Sequence, residues 1–118
     1  MKTELMITDC GDLVIELHGE FDALGSTEIR PTLDKVLHET DPEHVFLDIH
    51  NVSFIDSSGV GAIVYLYKRL KENSRKLRIS GAHGQPRELL ELLRIHKAIP
   101  LVLANSDTGA REDKSCVA

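Results

Sequence analysis

The segment from Val45 to Tyr67 constrains the fold of this chain more than any other. Its first five residues, Val45 to Ile49, are an apolar run with β-branched and aromatic members, which predicts a strand covered on both faces. Apolar residues recur at helical spacing from Val60 onward, so a long helix comes after a short loop. Buried strands that alternate with helices are the units of α/β domains. The segment therefore predicts an α/β fold.

The predicted helix begins with polar residues and glycines. Asp56, Ser57 and Ser58 are all suitable N-cap residues, because their side-chain oxygens can accept hydrogen bonds from the free N–H groups of a first helical turn. Gly59 and Gly61 come next and leave the surface open. Two serine hydroxyls are thus expected at the positive end of a helix, and this is where the sequence indicates a functional site.

The other predicted elements lie on both sides of this segment. In chain order they are strands at 4–8 and 13–17, a helix with apolar positions from Leu24 to Leu37, a strand at 76–80, a helix opened by Pro86 with Leu89, Leu90, Leu92 and Leu93 inside, and a last strand at 99–103. The order β-β-α-β-α-β-α-β predicts a mixed sheet of four to five strands, packed against helices and joined by right-handed crossovers.

The start of the first helix allows two interpretations. Residues 19–22 are expected to break the preceding strand, and Asp22 can cap the first helix. Pro31 is unfavourable inside a helix, because it removes a hydrogen bond and clashes with the previous turn. The helix either begins near Gly25 with a distortion at Pro31, or its regular part begins at Pro31 itself. The spacing of the apolar residues favours the early start.

Length and charge narrow the class of protein. A chain of 118 residues predicts one domain, placed at 1–104, and residues 105–118 lack apolar periodicity and are expected to form a flexible tail. No run reaches the roughly 20 apolar residues of a membrane span, and the N-terminus does not resemble a signal peptide, so a cytoplasmic location is expected. The net charge of -5 argues against a nucleic-acid partner and favours a protein or small ligand.

Catalytic and metal-binding motifs are not evident. The serines lack the Gly-x-Ser-x-Gly pattern of a nucleophile elbow, since Ile55 and Asp56 occupy the upstream positions. Asp48 does not fit the acidic and lysine pattern of a phospho-accepting aspartate and is expected to be a strand-end or turn acid. The histidines are scattered singly, so no metal site is expected, although His50 stands out at the end of the central strand. The chain is therefore not expected to be an enzyme.

Gly59 and Gly61 lie after a strand and open a helix, a position in which glycines can indicate nucleotide binding. Val64 stands where a dinucleotide loop has its third glycine, however, and no P-loop lysine is present after it. Asp22 and Asp56 would also oppose a bound phosphate. No cofactor is expected.

Two motifs resemble those of STAS domains. Residues 54–61, Phe-Ile-Asp-Ser-Ser-Gly-Val-Gly, are similar to the STAS phosphorylation-site motif, most of all to that of the anti-sigma factor antagonists of bacterial partner-switching systems. Residues 18–22, His-Gly-Glu-Phe-Asp, resemble the Gly-Glu-Leu-Asp stretch between the second strand and the first helix of that family. The resemblance covers about residues 4–103 and implies a STAS-type fold.

The resemblance also implies site residues. Ser57 corresponds to the phosphorylated hydroxyl, and Ser58 is the weaker candidate. Asp56 is the motif aspartate, expected to hold the loop and support phosphoryl transfer, and Phe21 and Val60 stand where leucine is common. The implied phosphosite environment and partner surface comprise Asp22, Asp56, Ser58, Gly59, Val60 and Gly61.

The implied function is a switch in signal transduction and transcription regulation. The unphosphorylated protein would bind and sequester an anti-sigma factor that is also a serine kinase, phosphorylation of Ser57 would release it, and a PP2C-like phosphatase would reset it. A monomer or weak dimer is expected. The alternative is a STAS scaffold or ligand-sensing module in a regulatory assembly, with an output such as biofilm or secretion control.

Overall fold

The protein contains a five-stranded sheet, with an antiparallel hairpin at one edge. The computed structural model describes residues 1–102. The sheet order is β1-β2-β3-β4-β5; β1 is antiparallel to β2, and the remaining neighbours are parallel. The strands are β1 (Lys2–Ile7), β2 (Leu13–Phe21), β3 (His44–Ile55), β4 (Lys76–Ser80) and β5 (Leu101–Val102). The helices are α1 (Ala23–Glu39), α2 (Ser57–Glu72) and α3 (Gly84–Leu92), with a 3₁₀ turn after them at Ile95–Lys97. The predicted element order and fold class are confirmed.

One face of the sheet forms the core. Side chains alternate between the two faces of a strand, so every second residue of β2 and β3 points to the same side. On β2 these are Leu13, Ile15 and Leu17, each at most 1% exposed, and they pack in one cluster with apolar residues of α1 and α2. The intervening side chains, such as Glu16 and Asp48, lie on what is called here the second face, and they are only partly buried. The core cluster thus holds α1 and α2 against one face of the sheet.

Helix α1 takes the early start that its apolar spacing favours. It runs continuously from Ala23 to Glu39 with Pro31 inside it. Its buried residues Ile29, Leu33 and Val36 recur at helical spacing on both sides of the proline. Packing of this apolar face against the sheet offsets the cost of the interior proline.

Strands β2 and β3 are longer than predicted, which corrects two expectations. Residues 19–21 continue β2 instead of breaking it, and residues 50–55 continue β3 instead of forming a loop. The pairing survives because the register shifts twice, between Glu16 and His18 and between Gly19 and Glu20. Gly19 has a φ of 114°, a conformation that glycine adopts without strain. The irregular hydrogen-bond ladder between β2 and β3 therefore continues to the end of both strands, where α1 and α2 begin.

The third helix also differs from its prediction. It begins at Gly84, so Pro86 is its third residue and not its first. Leu90 is fully buried, but Leu92 and Leu93, predicted to lie inside, are 76% and 47% exposed. Leu92 comes two residues after Leu90 and so lies on the opposite side of the helix, and Leu93 follows the last helical residue.

Other expectations lie partly or wholly beyond the described residues. The domain boundary at 104 and the tail at 105–118 fall outside residues 1–102 and remain predictions. Within residues 1–102, the helices lack the length or the apolar character that crossing a membrane would require.

Candidate functional site at the starts of helices α1 and α2

Two aspartates cap the two helices that begin at the ends of β2 and β3. Asp22 precedes α1, and its Oδ1 accepts a hydrogen bond from Gly25 N at 2.9 Å. Asp56 precedes α2, and its Oδ1 accepts from Ser58 N at 2.8 Å and from Gly59 N at 3.2 Å. Both carboxylates thus satisfy N–H groups that would otherwise lack a partner in the first turn. The structure brings the two predicted acids to neighbouring helix starts.

Close backbone packing joins these two helix starts. Asp56 N donates to Phe21 O at 3.3 Å, which links the residue before α2 to the last residue of β2. A Cβ atom on Gly59 would lie 2.4 Å from Phe21 O and 2.7 Å from Ile55 Cγ1, so any larger residue there would push α2 away. Gly59 therefore has a packing role.

The two serines are exposed at the start of α2. Ser57 is the first residue of the helix, and Ser58 is the second. Because Asp56 is the cap, neither serine is needed for capping. Among the hydrogen bonds formed by residues 1–102, none uses Ser57 Oγ or Ser58 Oγ. Both residues are exposed, and no hydrogen bond to another residue of 1–102 holds either hydroxyl in place.

The other residues of the motif differ in accessibility. Gly61 is exposed, and a Cβ atom added there would meet nothing within 4 Å. Val60 is only 8% exposed and belongs to the core cluster. Little of its surface is therefore accessible for the predicted contact with a partner.

Leu24, in the first turn of α1, is 68% exposed. Its spacing in the sequence had placed Leu24 on the apolar, buried side of the helix. In the structure it instead supplies exposed apolar surface beside Asp22.

Gln85 holds the end of β3 in place and was not found from the sequence. Its Oε1 accepts from Ile55 N at 2.9 Å, and its Nε2 donates to Ile55 O at 2.8 Å. The side-chain amide therefore satisfies both backbone groups of the residue directly before Asp56. The contact joins α3 to the candidate site across thirty residues, and no local sequence pattern signals it.

Asp48 and His50 lie away from this edge. Asp48 was expected at a strand end or in a turn, but it lies within β3, because that strand continues to Ile55. Its Oδ1 accepts from His50 N at 3.0 Å and lies 2.7 Å from His50 Nδ1. These residues are on the second face of the sheet and are not part of the site at the helix starts.

The sequence model of the STAS domain matches residues 5–108, which is most of the chain. The chain belongs to the STAS domain family. This STAS domain is 29% identical to the anti-sigma F factor antagonist of Paenibacillus polymyxa over 91 residues, which span 77% of this chain and 78% of the relative. It is 27% identical to the anti-sigma-B factor antagonist of Staphylococcus aureus over 78 residues, 66% of this chain and 71% of the relative.

Solved structures of similar fold include other STAS proteins. An anti-sigma factor antagonist from Mycobacterium paratuberculosis superposes with a TM-score of 0.81 at 20% identity, covering 95% of this chain and 93% of that one. The Bacillus cell fate determinant SpoIIAA in its phosphorylated form gives a TM-score of 0.71 at 18% identity, covering 93% of this chain and 97% of that one. At these identities the likeness concerns the fold, and it agrees with the mixed sheet and three helices described above.

Proposed function

We propose that this STAS domain is an anti-sigma factor antagonist and that phosphorylation of Ser57 switches it. The names of its relatives in Paenibacillus polymyxa and Staphylococcus aureus support the first part. The observation that supports the second part is the geometry at the start of α2. Asp56 takes the capping role, so the exposed Ser57 hydroxyl is left without a structural role and is accessible to a kinase.

The proposed cycle has two states. The unphosphorylated domain binds an anti-sigma factor that is also a serine kinase, and so withholds that kinase from its other client. Phosphoryl transfer from ATP to Ser57 Oγ releases the complex, and a PP2C-like phosphatase hydrolyses the phosphate. The kinase and the phosphatase supply the catalysis, so the domain acts as their substrate and not as an enzyme. Its place of action would be the cytoplasm, where both partners would meet it.

A phosphate on Ser57 would find three N–H groups at the start of α2 already in use. Helix starts commonly bind phosphate through such groups. Here the N–H groups of Ser58 and Gly59 donate to Asp56 Oδ1, and Val60 N donates to Asp56 O at 3.0 Å. The new charge would therefore lie beside the Asp56 carboxylate without displacing it, and would project toward the partner. The switch acts on the interface and leaves the helix intact.

The charge is large enough to release a partner. Phosphorylation adds about -1.5 to -2 charges near neutral pH. Two unit like charges about 8 Å apart repel by about 2 kcal/mol at an effective dielectric constant of about 20. With two added charges, repulsion from an acidic group across a dry interface would weaken binding by more than about a hundredfold.

Leu24 completes the proposed partner surface. An exposed leucine next to a switchable charge gives the complex an apolar contact that phosphorylation does not alter. Gly61 leaves room for a partner backbone to approach the first turns of α2. The partner would thus contact the starts of both helices, with Asp22 and Asp56 fixing their positions.

The test compares substitutions at the two adjacent serines. Calorimetric titration of the cognate anti-sigma kinase should give wild-type affinity for Ser57→Ala and a loss of about thirtyfold for Ser57→Asp, which adds one charge where phosphate adds about two. Ser58→Asp is the matched control, and it should retain more affinity than Ser57→Asp. Equal binding by Ser57→Asp and Ser57→Ala would reject the switch and favour a STAS scaffold.

A further inference from the structure

The second face of the sheet carries a row of three carboxylates. The strand register places Glu4 opposite Glu16 on the antiparallel pair, and Glu16 beside Asp48 on the parallel pair. Like charges at directly opposite positions destabilise a sheet. No ion pair formed by residues 1–102 joins one of these carboxylates to a lysine or an arginine. The row therefore lacks the cationic partners that would balance its charge.

Histidines take the place of those partners. His50 Nδ1 lies 2.7 Å from Asp48 Oδ1, and His18 Nε2 lies 2.9 Å from Glu16 Oε1. Both distances are those of a hydrogen bond. Imidazole nitrogens and carboxylate oxygens are also the ligands with which proteins hold zinc and related cations. A nitrogen and an oxygen this close together can instead bind one metal ion between them.

We propose that Glu16, Asp48 and His50 form a binding site for a divalent first-row transition metal, with Zn²⁺ as its representative. Each of the three residues offers one ligand atom, and these atoms all lie within 4.8 Å of one another. Ligands around Zn²⁺ bind at about 2.0–2.2 Å, so only small side-chain rotations are needed to bring the three atoms onto one ion. Water would complete the coordination.

The imidazole in this set selects the class of metal. Mg²⁺ and Ca²⁺ prefer oxygen ligands alone, whereas imidazole suits Zn²⁺, Cu²⁺ and Ni²⁺. The ion would also neutralise the repulsion between Glu16 and Asp48, which gives binding a second source of free energy. The site is thus specific in chemistry as well as in position.

A second group of possible ligands, Glu4 with Glu16 and His18, is less suitable. Glu4 is exposed on the edge strand β1, and the His18 side chain is 32% exposed. In the proposed site the side chains of Glu16, Asp48 and His50 are 19%, 14% and 23% exposed, and they lie on two neighbouring inner strands. Partly buried ligands on rigid strands lose less conformational freedom on binding.

The histidines do not form a metal motif along the chain, so the sequence led us to expect no metal. The donors come from β2 and β3, and only the parallel register brings Glu16 and Asp48, which are far apart in the sequence, side by side. This site is independent of the proposed switch at Ser57, and either proposal can fail without the other.

Isothermal titration of the metal-free full chain with ZnCl₂ tests the site. We expect saturable binding of one equivalent and no competition from excess Mg²⁺. His50→Gln should weaken binding by at least about tenfold, since even residues that only orient metal ligands have effects of that size. His38→Gln, exposed on α1 and away from the proposed ligands, is the matched control and should keep wild-type affinity.

Amide chemical shifts provide the second measurement. In the metal-free state, His50→Gln should give a spectrum close to wild type, which shows that the variant is folded. In the wild type, Zn²⁺ should shift the amides of residues 16, 48 and 50 more than those of α1. The proposal is overturned by the absence of saturable binding, by unchanged affinity in His50→Gln, or by an equal loss in His38→Gln.

Discussion

The side-chain amide of Gln85 makes two hydrogen bonds with the backbone of Ile55, one in each direction. Ile55 is the last residue of β3, and Asp56 and Ser57 come directly after it. Strand β4 pairs with β3 only as far as Asp48, so it offers no backbone partner to the N–H and C=O groups of Ile55. The side-chain amide of Gln85 takes the place of that partner. The position of Ser57 therefore depends on a residue of α3 that does not belong to the motif.

Replacing Gln85 should loosen the start of α2. Gln85→Ala leaves a buried N–H and C=O of Ile55 unpaired, which should lower the free energy of unfolding by about 1–3 kcal/mol. Amide exchange should accelerate at Ile55 and Asp56. Gln85→Glu keeps the acceptor and loses the donor, so it should fall between wild type and the alanine variant. Unchanged denaturant midpoints would contradict this role.

The two motif glycines should respond oppositely to alanine. At Gly59 the new methyl group would overlap Phe21 O, so Gly59→Ala should destabilise the domain by about 1–3 kcal/mol through overpacking. At Gly61 the added atom meets nothing within 4 Å, and the higher helix propensity of alanine should stabilise by about 0.5–1 kcal/mol. Thermal unfolding of the pair checks this, and a lower melting temperature for Gly61→Ala would contradict it.

Substitutions at Asp56 can separate its two proposed roles. Asp56→Ala removes the cap and should cost about 1 kcal/mol of stability. Asp56→Asn keeps an acceptor oxygen for Ser58 N and Gly59 N, so its stability should stay near wild type. If the carboxylate also supports phosphoryl transfer, the cognate kinase should phosphorylate Asp56→Asn more slowly than wild type, even though the stability of the variant is unchanged. Wild-type rates in that variant would limit Asp56 to capping.

Leu24 should contribute to partner binding without contributing to stability. Because its side chain is 68% exposed, Leu24→Ala should leave the unfolding midpoint nearly unchanged. In the complex, loss of a buried apolar contact should weaken binding by about 1–2 kcal/mol, or roughly five- to thirtyfold. Leu92, 76% exposed at the end of α3, offers a control of the same residue type. Equal effects of Leu24→Ala and Leu92→Ala would argue against this partner surface.

Local patterns account for the parts of the fold that could be predicted. Apolar spacing placed α1 and α2, and the residue types at the helix starts indicated Asp22 and Asp56 as caps, since capping involves only neighbours in the sequence. The lengths of β2 and β3 were missed because the register shifts that prolong their pairing depend on both strands together. The alternation of buried residues gives no sign of such a shift.

Contacts between distant residues explain what was missed at the sites. Gln85 is an ordinary helix residue in the sequence and becomes important only when α3 packs near the end of β3. Val60 was assigned to a partner surface because the motif drew attention to it, while its helical position places it in the core. Glu16 and Asp48 become neighbours only through the parallel register. The cases of Gln85 and of Glu16 with Asp48 depend on tertiary placement, which periodicity along one chain does not encode, whereas helical spacing alone marks Val60 as a core position.

The most direct test of the central claim is a phosphopeptide measurement. Wild type, Ser57→Ala and Ser58→Ala should be incubated with ATP and a lysate of the native host, in which kinase activity has been verified, and analysed by intact mass and peptide mapping. We expect a single phosphate on Ser57 in the wild type and in Ser58→Ala, and none on Ser57→Ala. A phosphate that persists in Ser57→Ala, or none on the wild type, would contradict the account.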